Sequence, residues 1–191
     1  MIDLIVTSIW LMIPAYIANP MAVVFGGGTP IDCGKNFYDG RRILGDGKTI
    51  RGLIAGTACG LVAGLIQIIL APVLAASGLF GSLDIFQSSL NAYTFNTIHV
   101  VFLMALGALL GDSAESFIKR RINLKRGAMF PVADQLDFVV GAWILTYILA
   151  SAWFIIYFDM RIIVTVLIIT PLLHITTNII GYLLKLKKEP W

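Results

Sequence analysis

Leu53-Ile-Ala-Gly-Thr-Ala-Cys-Gly-Leu-Val-Ala-Gly-Leu-Ile-Gln-Ile-Ile-Leu-Ala-Pro-Val-Leu-Ala-Ala76 carries no charged residue. A helix needs about 20 apolar residues to cross a hydrocarbon core about 30 Å thick, so this stretch reads as a membrane span. Moving outward from it, the uncharged runs Leu4–Phe25, Phe138–Phe158 and Ile162–Leu184 have the same character. The run from Phe95 to Leu110 is shorter, but Gly111 to Arg121 contains no proline and reads on as helix toward the interface. Hydrophobic residues make up 58% of the chain and charged ones 13%, against about 25% charged in a soluble domain. The expectation is an all-α membrane protein with five transmembrane helices, at about 4–25, 53–76, 95–121, 138–158 and 162–184, forming one integral domain over 1–191.

The basic residues orient these helices, because Lys and Arg near short loops stay on the cytosolic side. Lys35, Arg41, Arg42, Lys48 and Arg51 follow the first helix; Lys119, Arg120, Arg121, Lys125 and Arg126 follow the third; Lys185, Lys187 and Lys188 follow the fifth. Opposite them stands Arg161. This predicts an outside N-terminus, a cytosolic C-terminus, and two cytosolic loops, about 26–52 and 119–137, that form the active site. Asp3 stands where a signal peptide would be basic, so the first run reads as a retained helix. Cys33 and Cys59 cannot face each other across this topology and read as free thiols. The outer segment Ser77–Thr94 reads as a connector, and His99, His174, Trp10, Trp143 and Trp153 as packing or interface residues.

Gly52, Gly56, Gly60 and Gly64 recur every fourth residue along the second helix, which lines one stripe where another backbone can come close. Gly107, Ala108 and Gly111 make the third helix the expected neighbour.

The first cytosolic loop is rich in glycine and in basic side chains, a composition suited to phosphate. Its candidates for an anionic ligand are Gly27, Gly28, Thr29, Lys35, Arg41, Arg42, Lys48, Thr49 and Arg51. Lys48, Thr49 and Arg51 also stand at the start of a helix, where unpaired amides favour an anion. Gly47-Lys48-Thr49 is not a P-loop, since Arg42 occupies the position of the required first glycine.

In the second loop, Asp112, Glu115, Ser116, Lys119 and Arg120 fall on one side of a helix of 3.6 residues per turn. An acid at membrane depth is costly unless paired or metal-bound. Asp134 and Asp137 lie three apart at the start of the fourth helix and can meet Asp112 across the bundle. Carboxylates joined by substrate phosphates are what Mg²⁺ selects.

Gly111-Asp112, Glu115-Ser116, Lys119-Arg120, Lys125, Pro131 and Asp134-Gln-Leu-Asp137 resemble the C-terminal signature of the phosphatidate cytidylyltransferases. The Pro-Gly-His-Gly-Gly stretch of the bacterial type is absent: Val132, Ala133 and Asp134 follow Pro131, and Arg126 stands where that signature has an acid. The first loop, from Gly-Gly-Gly-Thr-Pro-Ile-Asp32 through Asp39-Gly-Arg-Arg42 to Leu-Gly-Asp-Gly-Lys-Thr49 and Arg51-Gly52, is similar to that of the archaeal CDP-archaeol synthases. The resemblance covers essentially the whole chain. It implies transfer of the cytidylyl group of CTP to a phosphorylated geranylgeranyl diether of glycerol, with release of pyrophosphate and a requirement for Mg²⁺.

On that reading Asp112 and Asp134, with Asp137 as a third ligand, hold the metal. Lys48, Arg51, Lys119 and Arg120 neutralise phosphate charge, and Ser116 and the glycine loop enclose the nucleotide. Asp112, Asp134, Lys119 and Arg120 are the catalytic candidates. The expected partners are CTP, an isoprenoid ether phospholipid that arrives sideways from the bilayer, and the bilayer itself, with no nucleic acid. The signature of the CDP-alcohol phosphotransferases breaks at Arg41-Arg42-Ile43 after Asp39-Gly40, and a transporter would carry midplane charges and an internal repeat.

Overall fold

The computed structural model describes residues 1–78, 80–124, 130 and 132–183, with backbone alone at 177, 178 and 180–183. Its helices are α1 (Ile2–Val24), α2 (Ile50–Ser77), the short α3 (Asp84–Ser89), α4 (Ile98–Arg121), α5 (Ala133–Leu149), α6 (Ser151–Tyr157) and α7 (Met160–Leu183). Two 3-10 turns, Leu90–Ala92 and Phe95–Thr97, lead from α3 into α4. Among the described residues there is no strand beyond isolated bridges in the first loop.

Ile2–Val24, Ile50–Ser77 and Phe95–Arg121 are each long and apolar enough to cross a membrane. The pair Ser151–Tyr157 and Met160–Thr176 gives a fourth span if taken together, although the two helices are bent by 81°. The fourth apolar run, expected as one helix over 138–158, is divided. Helix α5 starts at Ala133, ends at Leu149, and is followed by the separate α6 because Ala150 leaves the helical region at φ −145°, ψ 46°. No proline or glycine marks that break. With 17 residues, α5 rises about 25 Å at 1.5 Å per residue.

The glycine stripe of α2 packs as a seam, against two helices rather than one. A Cβ at Gly60 would stand 2.5 Å from Ala105 Cβ on α4 and 2.8 Å from the Pro14 carbonyl on α1, so α2 sits in the groove between them. Gly107 and Gly111 face elsewhere. A Cβ on Gly141 of α5 would lie 2.5 Å from Gly111 Cα, so the small residues of α4 allow α5, not α2, to approach.

Proline inside α1 leaves a debt that another helix settles. Pro14 has no N–H to give the Trp10 carbonyl four residues earlier. Gln67, buried on α2, donates its amide to that carbonyl at 2.8 Å. The Tyr93 hydroxyl donates to Leu11 O, also on α1, at 2.5 Å.

The segment expected as a plain connector is a packed plug. Phe86, Leu90 and Tyr93 are buried, Tyr93 stacks on Trp153 at 5.4 Å, and the Trp153 indole donates to Ala92 O at 2.7 Å. Asp3 accepts the amides of Ile85 and Phe86 at 3.0 and 2.8 Å, fixing the start of α3 against α1. That plug closes one end of the bundle. The other end carries the first loop, the C-terminus of α4 and the N-terminus of α5.

Candidate active site

The first loop is folded around one carboxylate. The Asp32 side chain, fully buried, accepts the amides of Gly34, Leu44 and Gly45 at 3.1, 3.0 and 2.9 Å and the Arg42 guanidinium at 2.8 Å. The guanidinium, with those amides, holds the Asp32 carboxyl well below the usual carboxylate range. Gly45 reaches Asp32 from a positive φ of 99°, where a side chain would be strained. Two pairings close the loop: Ile31 N to Lys48 O at 2.8 Å, and Phe37 N to Arg41 O at 2.7 Å. Thr49 then caps α2 by accepting the Gly52 amide at 3.1 Å.

Arg121 fastens this loop to the end of α4. Its guanidinium lies 4.8 Å from the Phe37 ring centre and 4.9 Å from that of Phe117, and donates to Asp39 at 2.7 Å and to the Arg42 carbonyl at 2.5 Å. Arg41 answers by donating to the Arg121 carbonyl. The loop thus has a definite position over the helix ends.

Beneath it is a cleft of about 360 Å³, within the range of about 300 to 1,000 Å³ usual for small-molecule sites. The loop contributes Arg42, Leu44, Gly45, Asp46, Gly47 and Lys48; α4 contributes Asp112, Glu115, Ser116, Lys119 and Arg120; α5 contributes Asp134 and Asp137. Lys48 meets Asp112 at 2.5 Å, and Lys119 meets Glu115 at 2.8 Å and also Asp134. Carboxylate oxygens of Asp112, Glu115 and Asp137 all lie within 4.8 Å of one another. Three carboxylates this close repel unless cations stand among them. An all-oxygen set of this kind suits a hard divalent ion.

The family described as "CarS-like: CDP-archaeol synthase" matches residues 1–191. A CDP-archaeol synthase of Methanosarcina barkeri is 55% identical over 180 residues, which is 94% of this chain and 100% of that relative. One of Methanocaldococcus jannaschii is 45% identical over 190 residues, 98% of each chain. The chain belongs to the CDP-archaeol synthase family. A solved structure described as "Structural insight into an intramembrane enzyme for archaeal membrane lipids biosynthesis" shares 38% identity and a TM-score of 0.64, covering 90% of this chain and 92% of that one. The chain is therefore a membrane enzyme of archaeal lipid synthesis, a nucleotidyltransferase by its family.

Of the residues singled out from the sequence, Arg42, Lys48, Asp112, Ser116, Lys119, Arg120, Asp134 and Asp137 come together around the cleft. Gly27, Gly28, Thr29, Lys35, Arg41, Thr49 and Arg51 do not line it. Arg41 is occupied on the Arg121 carbonyl, and Arg51 donates to Phe25 O at 2.7 Å. Lys125, Arg126, Pro131, Lys185, Lys187 and Lys188 lie outside the described residues.

Within the acidic group Glu115 joins the residues expected from the sequence. Asp112, Glu115 and Asp137 stand together, and Asp134 adjoins Glu115, pairs with Lys119 and accepts the Phe130 amide at 3.0 Å. The signal was present, since Glu115 lies three residues after Asp112 and so shares its helix face. Asp32 and Arg121 were not singled out as site residues. Arg42 for Asp32, and Asp39 and Arg42 for Arg121, come from positions that no local spacing reveals.

Proposed function

We propose that the chain transfers the cytidylyl group of CTP to the phosphate of 2,3-bis-O-geranylgeranyl-glycerol 1-phosphate, or a close isoprenoid diether, giving a CDP-archaeol lipid and pyrophosphate. The observation that carries this reading is the cleft itself. Three clustered carboxylates face Lys48, Lys119, Arg42 and Arg120 across one volume of ligand size. Such a site can hold a metal and a polyphosphate together, and family membership supplies the reaction.

Asp112, Glu115 and Asp137 would hold Mg²⁺, with Asp134 beside them on Lys119. Bound there, Mg²⁺ supplies charge stabilisation for the triphosphate oxygens. Lys48 and Lys119 now neutralise Asp112 and Glu115; with substrate present their ammonium groups can turn to phosphate oxygens. Arg42, held in place by Asp32 and by Asp46 at 2.8 Å, presents a fixed positive charge. No general base is required, because a phosphomonoester, whose second pKa is about 6, is mostly dianionic at neutral pH. Catalysis then rests on positioning and charge neutralisation.

The same reading takes α1, α2, α4, α5 and α7 as five spans of a single domain, with α6 lying against the outer plug. The basic loops set the cleft at the cytosolic face of the cell membrane. Pyrophosphate release from CTP, measured with diether and diacyl acceptors in parallel, tests the reaction. Release with the diether acceptor and CTP, and not with ATP, is expected. Equal turnover of ATP, or none with any phosphorylated lipid, would contradict it.

A further inference from the structure

At the plug end, opposite the cleft, a separate cavity of about 310 Å³ opens where α6 turns through 81° into α7. Four helices wall it: Thr7 comes from α1, Asp84, Ser88 and Ser89 from α3, Tyr157 from α6, and Arg161 from α7, beside Asp159 in the bend. Its volume falls at the lower edge of the range of about 300 to 1,000 Å³ usual for small-molecule sites.

What this cavity offers a ligand depends on which of its polar atoms are already engaged. Ser88 and Ser89 donate their hydroxyls to Ile85 O and Phe86 O at 2.7 and 2.8 Å, and the Tyr157 hydroxyl reaches Asn91 O at 3.4 Å. Arg161 sets two guanidinium nitrogens on Asp159 Oδ2 at 3.0 and 2.7 Å, while Asp159 Oδ1 accepts the Ile162 amide at 2.9 Å. Two side chains are left over. Among the described residues the Asp84 carboxylate makes no hydrogen bond or ion pair. The Thr7 hydroxyl, on a residue only 1% exposed, has no partner either. A buried hydroxyl left unpaired is costly, so a group that bonds it there is favoured.

The balance of charge and donors selects the kind of group. Arg161 and Asp159 neutralise each other, which leaves the wall with the one negative charge of Asp84. That charge opposes an anion, and a divalent ion asks for more free carboxylate oxygens than a single side chain supplies. A primary ammonium brings three donors, no acceptor and one positive charge. It can meet Asp84 and, as acceptors, the hydroxyl oxygens of Thr7 and Ser88. Ile85, Ile156 and Ile162 complete the lining, and Ile156 is 71% exposed, so the mouth of the cavity is apolar.

We propose that this cavity binds a primary ammonium group, carried either on an amphiphile whose apolar part lies along Ile156 or on a free amine. The site is independent of the transfer reaction, since it shares no residue with the cleft.

Native mass spectrometry of the purified full chain, titrated with dioleoylphosphatidylethanolamine or with its N-acetylated form, tests this. The two lipids differ in the ammonium alone, and the amine lipid is expected to bind about tenfold more tightly. Asp84→Asn should remove that preference, and Thr7→Val should weaken the amine lipid about threefold. Both variants should melt as the wild type does, because neither side chain holds a contact within the protein. Butylammonium chloride separates the two sources: displacement of the lipid shows that a free amine suffices, and retention shows that the lipid chains are needed as well. Equal affinity for the two lipids, no binding of either, an unchanged amine affinity in either variant, or tighter binding of Ca²⁺ than of either amine would overturn the proposal.

Discussion

At the plug end of the bundle, Asp3 accepts two backbone amides from α3, and Asp159 accepts the Ile162 amide at 2.9 Å and the Arg161 guanidinium at 2.7 Å. At the loop end, Asp112 and Glu115 meet lysine ammonium groups, and with Asp137 they face one another. The first arrangement consumes each acid locally: its partners are backbone or a neighbour two residues away. The second leaves charge that only movable lysines offset, and a lysine on a flexible stem can exchange a carboxylate for a phosphate. On the proposed reading, these acids serve structure at one end and chemistry at the other. Asp32 shows that the division follows the partners rather than the position, since it lies at the loop end yet is enclosed by amides and Arg42.

The sharpest way to break this comparison is one substitution at each end. Asp112→Asn should lower kcat about 100- to 1,000-fold, since charge stabilisation by a held metal is worth several kcal/mol, with little change in thermal stability. Asp3→Asn should do the reverse, lowering stability by about 1 kcal/mol with kcat unchanged. Assays of turnover and melting on both variants decide it; parallel losses in both quantities would erase the distinction.

A smaller effect is expected where the two acid-bearing helices touch. A Cβ on Gly141 would lie 2.6 Å from the Gly111 amide nitrogen, so Gly141→Leu must separate α4 from α5. Overpacking of this kind costs about 1 to 3 kcal/mol, and it should weaken metal binding as well, because Asp137 and Asp112 sit on the separated helices. Unaltered metal affinity would show that the cluster does not depend on this contact.

The smallest effect concerns pH. The Asp32 carboxyl is depressed in the folded loop, so its stabilisation is complete above the unfolded carboxylate value of about 3.9 and is withdrawn as pH falls through the lower folded value. Hydrogen exchange of loop 25–49 should stay protected from pH 7 to 5 and open only in stronger acid. In Asp32→Asn the loop should already be open at pH 7, with no further acid transition.

How much of this was legible in the sequence follows from the range of the interactions. Apolar runs such as Leu53–Ala76 declare themselves, because the bilayer imposes one length on every span. The face Asp112–Glu115–Lys119 follows from helical spacing alone. The break at Ala150 does not, since neither a proline nor a glycine marks it. Nor does the partner of Gly107 and Gly111: a glycine stripe tells that a helix can approach, not which one. Gln67 could have been read as an answer to Pro14, yet nothing short of the packed bundle matches the two. Asp32 takes Arg42 from 10 residues away, and Arg121 takes Asp39 and Arg42 from 82 and 79 residues away, so these roles exist only in three dimensions.

The proposed metal ligands are Asp112, Glu115 and Asp137, with Asp134 adjoining Glu115 and paired with Lys119. Electron paramagnetic resonance of Mn²⁺ binding in the presence of CTP tests that assignment directly on Glu115→Gln and Asp134→Asn. Loss of a ligand should weaken the ion by about tenfold or more in Glu115→Gln, and Asp134→Asn should bind it nearly as wild type. Wild-type affinity in Glu115→Gln together with a large loss in Asp134→Asn would contradict the account.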